Sequence, residues 1–277
     1  PLRRQRQMCI RDSRTSPFAF TGNKFEFRMV GSSDSIAPAN VVLNTIVAES
    51  FREIADELEK ADNFDMACHD MIKKLFTEHH RIVFNGNGYS DEWVEEAERR
   101  GLPNIKSMVD AVPALTAPKA IKLFESFGVF TESELRSRAE IKYEAYAKAI
   151  NIEAKSMIDI ASKHIIPAVV SYTTELANSV IAVSEAGVDS STQKELLDEV
   201  TKYLKEMKAA LKKLTEVTEK ASDITEGKEQ ATYFRDVVKV AMDELRAPAD
   251  KLEMIVDKEF WPFPVSYTHL RAHETLR

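Results

Sequence analysis

The chain has 277 residues, of which 44% are hydrophobic and 30% are charged, and its net charge is −7. An acidic chain without a basic stripe predicts that nucleic acid is not a main partner. No uninterrupted apolar run approaches the ~18–20 residues that span a bilayer, so we expect no membrane partner either.

The two ends of the chain read as non-native sequence. The codons that can encode "MCIRDS" at residues 8–13 have a reverse complement that translates as "VSYTH", which is found at residues 265–269. Residues 1–13 and 265–277 therefore resemble a translated sequencing adapter, and we exclude them from fold reasoning. A natural basic N-terminal arm would not explain this complementarity.

The remaining part, residues 14–264, is expected to be an internal piece of a longer protein. Removing the six basic and two acidic residues of the ends from 38 and 45 leaves 32 basic and 43 acidic residues, a net charge of −11. Cys68 is then the one remaining cysteine, so no internal disulfide can form, which fits a reducing compartment.

The first predicted element is a β-strand within residues 14–30, followed by a Gly/Ser loop. Successive side chains of a strand point to opposite faces. The pattern therefore places charged side chains on one face and large apolar ones on the other: Lys24, Glu26 and Arg28 against Phe25, Phe27 and Met29. The charged face is either a solvated surface or a wall where a carboxylate binds a hard cation and the basic groups bind phosphate.

Several helices are predicted after the loop. Apolar spacing indicates helices at about residues 39–60 and 64–79. Ser90 and Gly101 are typical of the two ends of a short helix, and Gly128 is typical of the end of another.

The second half of the chain is predicted to consist of long helices. A T-x-x-E capping pattern at Thr131 opens a helical stretch that reaches Gly187, with Pro167 expected to kink or divide it. A second long helix carries an apolar seam with alternating spacings of three and four over residues 197–221, and a third runs over about 230–257. Joined by short turns, these helices should pack antiparallel as a hairpin or bundle.

Residues 14–51 resemble the end of the catalytic domain of a glutamine synthetase, in the large type III form of bacteria. The family reads roughly N-R-x-S, R-x-E-x-R and then A-N-P-Y-L in this segment. Here "KFEFR" stands in place of R-x-E-x-R, and Ala39-Asn40 keeps the Ala-Asn pair without the Tyr. Residues 102–135 resemble the late helices of the family, and the helices after about residue 156 resemble the C-terminal extension of the type III form.

The resemblance implies a mainly α fold. It implies a short β-strand remnant of a truncated α+β catalytic domain over residues 14–155, followed by long antiparallel helices of the extension over residues 156–264.

The resemblance also implies roles for four side chains. Glu26 matches a glutamate that ligates a catalytic divalent metal, Mg²⁺ or Mn²⁺. Arg28 matches an arginine that contacts substrate glutamate and the transferring phosphate. Lys24 stands where many members have an arginine that contacts the ATP phosphates. Arg14 matches the arginine of N-R-x-S, which stabilises phosphoryl transfer.

The implied activity is ATP-dependent ligation of ammonia to glutamate through γ-glutamyl phosphate, with ATP as a substrate. The implied parent is a cytoplasmic homo-oligomer of stacked rings, and we expect the chain alone to be inactive. Two alternatives stay open on the residues themselves: a non-catalytic helical scaffold or oligomerisation protein, and a small cation-dependent phosphate-binding module.

Overall fold

A computed structural model describes residues 18–20, 25–27, 35–84 and 90–263. Two short antiparallel strands come first, β1 at Phe18–Phe20 and β2 at Phe25–Phe27. The α-helices that follow are α1 Ala37–Leu58, α2 Phe64–Glu78, α3 Asp91–Arg99, α4 Met108–Ala111, α5 Pro118–Ser126, α6 Glu132–Ile160, α7 Ile166–Glu185, α8 Ser191–Ser222, α9 Gly227–Tyr233 and α10 Lys239–Ile255. The predicted mainly α fold class is confirmed, and β2 lies inside the predicted strand.

The described residues form two compact units. The first unit extends to Asp110 and includes Thr116–Glu132, whereas the second includes Ala111–Leu115 and continues from Ser133. The first unit therefore holds the two strands and helices α1, α2, α3 and α5, and the second holds helices α7–α10 and nearly all of α6. The predicted domain boundary between residues 155 and 156 stays a prediction.

Helix ends in the first unit follow the signals in the sequence. The backbone N–H of Trp93 donates to Ser90 Oγ at 3.3 Å and so caps α3, whose first turn carries two acidic residues that favour the positive end of the helix dipole. Gly101 and Gly128 follow α3 and α5 with φ of 69° and 62°. Only glycine adopts this left-handed conformation without steric cost, which explains why both helices end there.

The longest helical stretch contains a π-helical turn. Between α6 and α7, residues Ala161–Ile165 form wider turns in which the N–H of Ile166 donates to the carbonyl of Ala161. Pro167 follows directly, and its ring would clash with the carbonyl four residues earlier in a regular α-helix. Ser162 Oγ donates to the carbonyl of Ile158 at 2.6 Å. The helix therefore continues through the proline by widening rather than by breaking.

Helices α8 and α10 pack side by side in opposite directions. Tyr203 precedes Lys213 along α8, whereas the partner of Tyr203 follows the partner of Lys213 along α10. The Lys251 ammonium lies 4.9 Å from the Tyr203 ring centroid, and Lys213 Nζ lies 2.6 Å from a carboxylate oxygen of Glu244. The antiparallel arrangement is thus confirmed for this pair.

The core of the second unit lies along the predicted seam of α8. The residues of that helix that are fully buried or nearly so are Val200, Met207, Leu214, Thr218 and Ala221. They pack with buried residues of α6, α7, α10 and a second π-helical turn, Phe234–Val238. Thr218 fits this apolar setting because its Oγ1 donates to the carbonyl of Leu214 at 2.7 Å.

Among the described residues, one helical stretch, Glu132–Glu185, is long and apolar enough to cross a membrane by length and composition alone. The sequence-based expectation rests on uninterrupted apolar runs, whereas this stretch meets the criterion through the mean hydropathy of one 18-residue window within it. A single helix of this kind does not establish a membrane span.

Candidate active-site strand

The β1–β2 hairpin fixes which residues of the predicted site lie opposite each other. Its register pairs Phe18 with Phe27, Ala19 with Glu26, and Phe20 with Phe25. Because directly paired residues lie on the same face of a sheet, the glutamate position shares its face with a small residue. The four phenylalanine positions lie on the other face. The phenylalanine positions of β1 thus lie on the same face as those of β2.

Of the four predicted site residues, one lies in the described part of the chain. Glu26 is the central residue of β2. Arg14, Lys24 and Arg28 lie outside the described residues. Their roles, and the role of Glu26 as a metal ligand, stay predictions.

The described residues hold no group of three or more His, Cys, Asp or Glu side chains that could bind a metal ion. A hard cation such as Mg²⁺ is held by several oxygen atoms, some of them from water or substrate phosphates. The Glu26 carboxylate has the right chemistry for one of those positions and cannot make the site by itself.

A second cluster of charges surrounds Glu96 on α3. Arg99 donates to the Glu96 carboxylate from Nε at 2.6 Å and from Nη2 at 2.7 Å, and Arg100 donates from Nε at 2.5 Å. The bonds from Arg99 have the largest effect, followed by the bond from Arg100, and together they lower the pKa of Glu96 from 4.5 to about 2. Each cation is already paired, which favours a structural role over the binding of a substrate anion.

The same arginine joins α3 to the preceding segment of the first unit. Arg100 Nη1 donates to the carbonyl of Val83 at 2.9 Å. Its guanidinium carbon lies 5.4 Å from the Trp93 ring centroid, and Trp93 stacks on Phe84 at 3.7 Å. These contacts bring together the two ends of the segment between residues 84 and 90.

We expect the Glu96 carboxyl to titrate with a midpoint near pH 2 in a ¹³C NMR experiment. A carboxyl with a lowered pKa contributes stability that is present above its unfolded value of 4.5 and lost as the pH falls through about 2. Replacing both partners, Arg99→Gln with Arg100→Gln, should move the midpoint back towards 4.5. A midpoint near 4.5 in the unsubstituted chain would show that the bonds do not persist in solution.

Comparison with known proteins identifies one family. Residues 67–184 match the model of the glutamine synthetase C-terminal domain. A type-3 glutamine synthetase of Dictyostelium discoideum is 45% identical over 174 residues, which cover 62% of this chain and 24% of that protein. A glutamine synthetase of Bacteroides fragilis (strain YCH46) is 34% identical over 262 residues, covering 91% of this chain and 36% of that protein.

A third relative, a glutamine synthetase of Butyrivibrio fibrisolvens, is 38% identical over 174 residues, covering 61% of this chain and 24% of that protein. The chain thus spans about a quarter to a third of the length of the curated relatives it matches. The Bacteroides match extends well beyond residues 67–184 and takes in most of the chain.

Proposed function

This chain belongs to the glutamine synthetases, with their C-terminal domain at residues 67–184, and we propose that it is the C-terminal part of a longer type 3 enzyme. That enzyme would ligate ammonia to glutamate with ATP. The observation that carries the proposal is the similarity to the Bacteroides glutamine synthetase over 91% of the chain. A helical scaffold would need no such similarity.

The proposed reaction has two steps. The γ-carboxylate of glutamate attacks the γ-phosphorus of ATP, which releases ADP and gives γ-glutamyl phosphate. Ammonia then attacks the acyl carbon, phosphate leaves, and the nitrogen loses a proton to give glutamine. Both steps concentrate negative charge on phosphate oxygens, so positioning and charge neutralisation are what the protein must supply.

The strand that contains β2 supplies part of this environment in the proposal. Arg28 would bind the substrate carboxylate and the transferring phosphoryl group with its two-pronged guanidinium. Lys24 would place a point charge on the ATP phosphates, and Arg14 would act on the phosphoryl group from the segment before β1. Glu26 would hold a divalent cation, Mg²⁺ or Mn²⁺, which supplies further charge neutralisation when bound.

The pairing of β1 with β2 supports this assignment of roles. Its register leaves Ala19 opposite Glu26 and places phenylalanine positions on the other face. An apolar face can anchor the hairpin on a core while the face of position 26 stays available to ligands. We further propose that the parent is a cytoplasmic homo-oligomer of stacked rings, as the resemblance implied.

We expect the purified 277-residue chain to form no glutamine from glutamate, ammonia and ATP. The predicted strand contributes one carboxylate as a candidate metal ligand, that of Glu26, whereas a hard-cation site uses several oxygen ligands. The product of the complete gene, assayed beside it, is the matched control and should be active. Glutamine formation by the 277-residue chain itself would overturn the expectation that the catalytic site requires more than this part.

A further inference from the structure

Helix α7 carries apolar side chains on two faces. Its inner face includes Val169 and Leu176, which are buried in the core of the second unit. On the outer face, Val170 and Ile181 are 47% and 56% exposed, and Val188, just after the helix, is 62% exposed. A helix that is apolar on one face needs one neighbour, whereas a helix that is apolar on both faces is typical of burial on both sides.

The outer apolar side chains of α7 follow a heptad pattern. Thr174, Ile181 and Val188 are spaced seven residues apart, and Val170 and Ala177 precede the first two of them by four residues. Alternating spacings of four and three are those of the a and d positions of a coiled coil. We call these five residues the outer seam of α7. Their spacing predicts another helix as the partner.

The hydroxyl groups in and beside the outer seam already have partners within the helix. Thr174 Oγ1 donates to the carbonyl of Val170 at 3.2 Å, and Ser171 Oγ donates to the carbonyl of Pro167 at 3.1 Å. Burial of an unpaired hydroxyl costs free energy, whereas a paired hydroxyl can be covered at little cost. An apolar partner can therefore cover the seam without leaving these two groups unpaired.

The charge of α7 indicates which partner fits the outer seam. Two of its 20 residues are charged, both of them glutamates, whereas 13 of the 32 residues of α8 are charged. Residues 14–264 carry a net charge of −11, so two copies of the chain repel each other over most of their surface. The outer seam is a surface where two copies can approach with little like-charge repulsion. A membrane fits less well, because helices that lie on anionic lipids are rich in Lys and Arg, and α7 has neither.

We propose that the outer seam of α7 pairs with the same seam of a second copy of this chain. In a contact with two-fold symmetry the same surface is present on both sides, so an uncharged apolar seam is complementary to itself. The proposal deepens the homo-oligomer proposed above, and it rests on that proposed function for the place of the contact in the longer enzyme.

The size of the seam sets the strength of the expected contact. At 1.5 Å per residue, α7 is about 30 Å long, and a contact about 10 Å wide along it covers roughly 300 Å² on each copy. A stable interface buries about 800 Å² on each partner. The pairing should therefore be weak in the 277-residue chain and be one of several contacts in the homo-oligomer.

Sedimentation velocity tests the proposal on the 277-residue chain. We expect a dimer to appear as the concentration rises from about 10 μM to about 1 mM. Val170→Asp with Ile181→Asp should raise the concentration of half-association at least about tenfold, because it places like charges opposite each other in the seam. A chain that stays monomeric at about 1 mM, or one whose association is unchanged in this double variant, would overturn the proposal.

Val240→Asp with Met254→Asp is the matched control. These residues are 49% and 85% exposed on α10, so the control introduces the same charges at exposed apolar positions outside the seam. It should leave the association of the chain unchanged. Both double variants should melt close to the parent, as surface substitutions usually do. A melting temperature lowered by the seam variant alone would show that the chain itself covers the seam, and would overturn the proposal.

Vesicles of phosphatidylcholine and phosphatidylglycerol test the membrane alternative. We expect the parent chain not to co-sediment with them, and co-sedimentation that the seam variant abolishes would overturn the proposal. Glutamine formation by the product of the complete gene is a separate readout. Glutamine formation without pairing of the 277-residue chain would contradict this proposal alone, and pairing without glutamine formation would contradict the proposed function alone.

Discussion

In the product of the complete gene, Glu26→Ala is expected to lower glutamine formation by at least about a hundredfold. Removing a group that hydrogen-bonds to a metal ligand typically lowers metal affinity or activity 10–100-fold. Removing the ligand itself should lower activity at least as much. Folding should be retained, because the register pairs position 26 with Ala19 and not with a phenylalanine. Turnover measured across a Mg²⁺ titration, together with a melting curve, checks both parts of the expectation.

Phe25→Ala is the matched control on the same strand. Position 25 pairs with Phe20 on the opposite face, so this change should reduce stability by about 3–5 kcal/mol through lost burial and a cavity, if that face is anchored in the core of the longer protein. Its effect on metal dependence should be small. If Glu26→Ala kept near-parental turnover at ordinary Mg²⁺, the charged face would be solvated surface and the scaffold alternative would gain.

Met207→Ala is expected to destabilise the second unit by about 3 kcal/mol, which corresponds to a fall in melting temperature of roughly 9 °C for a unit of this size. Met207 is completely buried at the centre of the α8 seam. Its removal leaves a cavity between α8 and the helices that pack on it, because close-packed interiors relax only partly. Thermal unfolding followed by far-ultraviolet circular dichroism measures the change.

Met254→Ala is the control, because it makes the same substitution at an exposed position of the same unit. This methionine is 85% exposed on α10, so the variant should melt within about 1 °C of the parent, as surface substitutions usually do. Equal shifts for Met207→Ala and Met254→Ala would contradict the assignment of the α8 seam to the core.

Much of the helical part could be predicted from the sequence, because its signals are local. The seam of α8 was visible as an alternation of three and four residues, and the ends of α3 and α5 were visible in Ser90, Gly101 and Gly128. These features depend on helix geometry and on the conformations open to glycine, which act over a few residues.

The π-helical turns could not be predicted in the same way. Pro167 predicted a kink or a division, and the structure instead widens the helix at Ala161–Ile165. Which of these outcomes occurs depends on how the helix packs on its neighbours, and this is not encoded in the spacing around the proline. The second π-helical turn, Phe234–Val238, has no proline or glycine within it and gave no local signal.

The candidate site was predicted mainly through the resemblance of its strand to a family. Alternation alone separated Lys24, Glu26 and Arg28 from the phenylalanines but could not distinguish a ligand-binding wall from a solvated face. The pairing of Ala19 with Glu26 could not be predicted, because it depends on a register between two strands that no single strand specifies.

We propose that this chain is part of a longer enzyme that makes glutamine. Incubating the product of the complete gene with glutamate, ammonia, ATP and Mg²⁺, and quantifying glutamine and ADP together, tests it most directly. We expect the two products to appear in equal amounts, and neither to appear when ammonia, glutamate or Mg²⁺ is omitted. Release of ADP without glutamine, or the absence of both products, would contradict it.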